Sequence, residues 1–145
     1  RRSLHVAVIR PARPADKPAV RALQSLLEYR APALLEAAFD AGAGDVLVAT
    51  NDESIVGYAL AVPGDEAVYL AELAVAPGVR REGHGRRLVA SLSDNYDRFD
   101  QLRVTVAADD DGARAFYTAC GFWELDRIED RFDGEDGLLL LRRLS

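Results

Sequence analysis

The sequence predicts one α+β domain, and three observations carry that reading. Seven short apolar runs of strand length are cut apart by turn residues, and only some of them are separated by helical spacing. The order along the chain is strand, one or two helices, three strands, helix, strand, helix, two strands. At 145 residues, 15.8 kDa and 49% hydrophobic content, the chain suits one core, and no repeat, low-complexity tract or linker divides it.

Leu4, Val6 and Val8 alternate with His5 and Ala7, and Ile9 extends the run, so the first strand ends before Pro11 and Pro14. Asp16 is placed to cap a helix that tolerates Pro18 in its first turn, with Val20, Leu23, Leu26 and Leu27 as its apolar stripe. A weaker helix covers about Pro32 to Phe39 and is broken by Ala41 to Gly44. Val46 to Ala49 and Ile55 to Val62 are strands joined by the polar turn Asn51-Asp52-Glu53-Ser54. Pro63, Gly64 and Asp65 turn the chain into the strand Val68 to Val75. Leu88, Val89, Leu92 and Tyr96 then recur at helical spacing, and Leu102, Val104 and Val106 form the next strand. A short helix with Ala113, Phe116 and Tyr117 closes at Gly121, and Phe122 to Leu125 and Leu138 to Leu144 are the last strands. Between them, Asp126 to Asp136 holds six acids against Arg127 and Arg131 and reads as an acidic loop, solvated or forming a rim that attracts cationic amines.

The stretch between the strand Val68 to Val75 and the following helix is where chemistry concentrates. It holds Pro77, Gly78, Gly83 and Gly85 together with Arg80, Arg81, Arg86, Arg87 and Glu82. Glycine lets main chain approach a ligand, and a helix start presents unpaired N–H groups and the positive end of the dipole. The implied partner is a phosphate or pyrophosphate. A P-loop is excluded because Gly85 is followed by Arg86 and Arg87 instead of Lys-Ser or Lys-Thr. A dinucleotide fingerprint is excluded because Leu88 stands where its third small residue belongs, and because the stretch lies in mid-chain.

Arg80, Gly83 and Gly85 spell Arg-x-x-Gly-x-Gly directly after Leu-Ala-Val-Ala-Pro, and there the chain resembles the GNAT superfamily of N-acetyltransferases. The element order matches as well, so the resemblance covers nearly the whole chain. It implies a GNAT-like (acyl-CoA N-acyltransferase) fold, with a mixed, mostly antiparallel sheet flanked by helices. It also implies transfer of an acetyl group from acetyl-coenzyme A to an amine by direct attack. The loop, Arg80, Arg81, Glu82, Gly83, His84, Gly85 and Arg86, would wrap the pyrophosphate, and the backbone of Leu73, Ala74 and Val75 would pair with the pantetheine arm as an added strand.

Two residues are the catalytic candidates that the resemblance implies. Tyr117 lies in Tyr-x-x-x-Gly-Phe with Gly121 and Phe122, where the family's tyrosine protonates the leaving thiolate. Glu72, on the strand before the loop and opposite in direction to Ala71 and Leu73, matches the family's general base; a glutamate paired with an arginine is the competing reading. Five positions, in three places, depart from the family. Arg81, Glu82 and His84 replace a glycine, a base and an aliphatic residue; Glu82 is expected to point to water and His84 to serve as scaffold. Asp110 stands where a cofactor-binding asparagine is common and can accept but not donate. Thr105 occupies a strand position where some protein N-terminal acetyltransferases carry a glutamate base.

Composition narrows the partners. A net charge of −6 and a pI near 4.9 argue against a general nucleic-acid binder, while the loop is locally positive. No apolar run reaches the roughly 18 residues of a membrane span and no secretory pattern is present, so a soluble, cytoplasmic protein is expected. Cys120, the sole cysteine, reads as a packing residue, and with two histidines there is no zinc spacing, so no metal is expected. The acceptor is a small or protein amine, and two exposed edge strands leave a homodimer open. The rivals to an enzyme are a non-catalytic acyl-CoA-binding regulatory module and a nucleotide or phosphoprotein binder using the same arginines.

Overall fold

The computed structural model describes residues 7–144. The chain runs β1 (Ala7–Pro11), α1 (Lys17–Gln24), α2 (Pro32–Ala41), β2 (Asp45–Asn51), β3 (Ser54–Pro63), β4 (Ala67–Val75), α3 (His84–Asn95), β5 (Gln101–Ala107), α4 (Asp111–Ala119), β6 (Trp123–Phe132) and β7 (Glu135–Arg143), with 3₁₀ turns before α1 and after β4. The strands form one sheet in the order β1-β2-β3-β4-β5-β7-β6, antiparallel except where β4 meets β5. The expected α+β architecture with a mixed, mostly antiparallel sheet is therefore present.

Strands with helices on both faces bury both sets of side chains. In β2, Leu47 and Ala49 pack with Leu88, Val89 and Leu92 of α3, and Val46 and Val48 pack with Val20, Leu23, Leu35 and Ala38 of α1 and α2. The β2–β3 turn, Asp52 and Glu53, has φ of 52° and 72°, the double positive φ of a type I′ hairpin whose twist matches its strands.

Four expectations are corrected or bounded. The first strand continues through Pro11, paired with Leu47, because an edge strand does not need the missing N–H; Leu4, His5 and Val6 lie outside the described residues. Asp16 precedes α1 without capping it, since its carboxylate accepts instead from the Arg10 guanidinium at 2.7 Å and the Arg13 amide at 2.7 Å. Leu26 lies past the end of α1 and is 49% exposed, so it leaves the apolar stripe. Most of the acidic segment is strand: β6 runs to Phe132 and turns at Asp133-Gly134, because pairing with apolar β7 holds it in place while its charges face outward. Charge on an exposed edge also discourages pairing with other chains.

Two irregularities in the middle of the sheet position everything that follows. Opposite β3, Leu60 pairs with Glu72 but Ala61 pairs with Leu70, so Ala71 is an extra residue. Leu70 thus faces the α3 core while Glu72, two residues on, faces α1. On its other edge β4 pairs with β5 only at Ala67, Val68 and Tyr69, whereas β5 stays with β7 as far as Ala107. Beyond Tyr69 the sheet therefore splays, and among the described residues the edge Leu70–Val75 has no neighbouring strand on the β5 side.

Candidate active site

The open edge of β4 leads directly into the glycine-arginine loop. Gly83, at φ +86°, ends the loop as the residue before α3, and Arg87 N–H to Gly83 C=O at 3.0 Å is the first bond of the helix. By helix geometry the amides of His84, Gly85 and Arg86 have no intrahelical acceptor and point out at the positive end of a 12-residue helix. A Cβ on Gly85 would lie 3.0 Å from the Phe116 ring, so glycine there lets α4 close on the loop and leaves the amides bare. Arg81 has φ +70°, the left-handed region, at the position where the family usually has glycine.

The arginines are ordered by carbonyl groups. Arg80 Nε donates to Val75 C=O at 3.1 Å, Arg86 to Ala119 C=O at 3.2 Å, and Arg87 to Glu82 C=O at 3.1 Å. These bonds brace the loop, and Arg86 also ties α3 to the end of α4. Arg87 further donates to His84 Nδ1 at 3.0 Å, which leaves the neutral ring's proton on Nε2. His84 is buried, with Nε2 3.5 Å from the half-exposed Glu82 carboxylate.

Tyr117 projects from α4 into the core, edge-on between Phe116 and Phe122 at 5.0 and 5.2 Å. Burial, with smaller contributions from Cys120 and Asp110, pushes its phenol well above the ordinary range, so it remains a proton donor at neutral pH. Asp110 is the residue before α4, and its carboxylate accepts from Ala113 N–H at 3.0 Å. The aspartate where the family often has asparagine is thus employed as a helix cap. Thr105 lies on β5 opposite Leu139. Cys120 is partly buried against the α3 and α4 core; burial raises its thiol, and the Arg86 guanidinium opposes that.

Glu72 stands on the other face of the sheet from Tyr117. Its side chain is 4% exposed, and it accepts from three residues: Gln24 Nε2 at 2.9 and 3.1 Å, the Tyr58 hydroxyl at 3.0 Å and the Ala31 backbone N–H at 2.7 Å. No arginine is among these partners. Burial and then the nearby carboxylate raise the Tyr58 phenol, which keeps it protonated as a donor. Gln24 and Tyr58 escaped sequence reasoning, and Phe116 reads in the sequence only as part of a helix's apolar face; each lies in an ordinary apolar or helical pattern, and only the fold brings them here.

The acetyltransferase (GNAT) domain model matches residues 14–136. The chain belongs to the GNAT acetyltransferase family. GNAT enzymes use acetyl-CoA. The fold is shared with the ribosomal-protein-S18-alanine N-acetyltransferase from Escherichia coli: TM-score 0.85, 22% identity, 97% of this chain and 95% of that one covered. It is shared equally with a GNAT acetyltransferase from Elizabethkingia anophelis with acetyl-CoA bound, at TM-score 0.80 and 20% identity over 94% and 97% of the two chains. A spermidine N-acetyltransferase chimera from Vibrio cholerae and hSSAT aligns at TM-score 0.81 and 16% identity, covering 96% of each chain. No curated protein matches the sequence. Among the described residues no helix is long and apolar enough to cross a membrane.

Proposed function

We propose that this GNAT domain is a single-domain N-acetyltransferase that transfers acetyl from acetyl-CoA to an amine by direct attack. The observation that carries the reading is the unpaired edge Leu70–Val75 running into the bare amides of α3. Leu73, Ala74 and Val75 take the pantetheine arm as an added strand, and the amides of Gly83 to Arg86 take the pyrophosphate, with Arg80 and Arg81 supplying charge. Arg80 gives up its bond to the Val75 carbonyl when the arm arrives. Glu82 stays half in solvent, where screening weakens its repulsion, and His84 props the loop from beneath.

The amine nitrogen attacks the thioester carbonyl, the C–S bond breaks, and the Tyr117 phenol delivers a proton to the departing sulfur. The amine must shed its proton before it attacks, to an acceptor that can reach the open splay. Asp110 supports the site as the cap of α4. The negative rim near the β6–β7 turn favours a positively charged acceptor, and the protein works in the cytoplasm, where acetyl-CoA is made available to it.

Isothermal titration of acetyl-CoA tests this reading. Micromolar binding by the wild type, lost in Arg80→Ala, Gly83→Val, supports the cradle, and thiol release with an amine then supports the enzyme. A wild type that binds no acetyl-CoA would sink the proposal. Binding without thiol release for any amine would favour the regulatory module.

A further inference from the structure

The side chains around Glu72 connect parts of the chain that are remote in sequence. Gln24 closes α1, Ala31 opens α2, Tyr58 lies in β3 and Glu72 in β4. The carboxylate binds all three at once, from a position on the splayed half of β4 and on the face opposite α3. The segment from Ser25 to Ala31 is thereby pinned at its end to β4. Two residues before that anchor, Tyr29 meets Phe132 at the β6–β7 turn, ring centroids 4.6 Å apart. In the sheet order, β5 and β7 lie between β4 and β6. A segment held to β4 at Ala31 and to the tip of β6 at Tyr29 must cross the gap between β4 and β5.

We infer that Glu72 is a positioning residue, which with Gln24 and Tyr58 holds the segment Ser25–Ala31 as a strap across the splay and so shapes the pocket for the amine. This rests on the acetyltransferase reading above. A general base needs a free lone pair directed at the nucleophile. Glu72 is 4% exposed and already receives four hydrogen bonds, so taking a proton from substrate would mean releasing one of its anchors. Leaving a buried donor unmade is costly, which makes such an exchange unfavourable in every turnover. The amine instead arrives beneath the strap and loses its proton to water in the open splay. Tyr29, 39% exposed beside Phe132, presents the strap's aromatic edge to that acceptor.

The roles of clamp and base predict different kinetics. Steady-state rates for wild type, Glu72→Gln, Gln24→Ala and Tyr58→Phe, with spermidine and an alanine-ended peptide as probes, give the expected result if all three variants raise the KM for amine tenfold or more. In that outcome kcat stays within about threefold, the acid limb of kcat/KM stays where the wild type has it, and acetyl-CoA affinity changes less than twofold. A hundredfold fall in kcat and loss of the acid limb confined to Glu72→Gln would overturn the clamp and restore the base. Hydrogen exchange decides independently of turnover. The Ala31 amide should exchange at least tenfold faster in Glu72→Gln and in the milder Tyr58→Phe, and unchanged exchange would overturn the proposal even if neither probe is acetylated. Failure of the wild type to bind acetyl-CoA would instead break the functional reading and leave the exchange arm to judge the clamp.

Discussion

On the α3 side of β4, residues 76–87 are shaped by backbone, with positive φ at Arg81 and Gly83, bare helix amides, and arginines tied to carbonyl groups. On the α1 side, the same strand is held by buried side chains, with one carboxylate gathering Gln24, Tyr58 and Ala31. Under the proposed function, the backbone side would take a ligand of constant pyrophosphate and amide groups, for which few particular side chains beyond glycine are needed. A side-chain clamp can be re-tuned at each of its members, which would suit the amine-facing wall proposed above. The three solved structures named above share the fold with this chain at 16–22% identity.

Substitutions that strike the cradle side should separate binding from chemistry. Tyr117→Phe has the largest expected effect: turnover falls about 100-fold or more, as for loss of a general acid, while acetyl-CoA affinity measured by titration stays within about twofold. Because burial raises the Tyr117 phenol above its ordinary 10.0, the wild type's kcat should show no alkaline loss from this group until beyond that pH. Gly85→Val comes next. Its Cβ would fall 3.0 Å from the Phe116 ring, so acetyl-CoA affinity should drop about tenfold or more and stability by about 1–3 kcal/mol in denaturant titration.

Asp16→Asn tests the α1 side, remote from the loop, and should cost about 1–2 kcal/mol of stability with acetyl-CoA affinity unchanged. The Arg10 guanidinium, and then the Arg13 amide, hold the Asp16 carboxyl below its usual 3.8. A depressed folded value contributes stability that is complete above the unfolded pKa and disappears as pH falls through the folded one. Urea midpoints of the wild type should therefore fall on acidification below about pH 4, and those of Asp16→Asn should fall less steeply. The smallest effect belongs to Arg81→Gly, which removes the side chain from a left-handed position and should stabilise by about 0.5 kcal/mol, read as a small rise in Tm.

What the sequence by itself determined is local. Arg80, Gly83 and Gly85 lie within six residues, Tyr117, Gly121 and Phe122 within another six, and hydrophobic periodicity marked every strand and helix in the right order. Such signals survive because the chemistry they encode is made by neighbours in the chain. The limits of β6 were less legible, since its acids mimic a loop until β7 pairs with them. Asp110 read as a ligand-binding position, and the structure adds a role the sequence reading did not state, since its carboxylate caps α4. The sequence did place Glu72 opposite Leu73, as the structure has it, but only the tertiary structure decided its company. The bulge at Ala71 shifts the alternation only between Leu70 and Glu72, while the partners at positions 24, 31 and 58 are joined to Glu72 by folding alone. A hydrogen bond depends on distance in space, and two residues 48 positions apart leave no mark of their meeting in a single sequence.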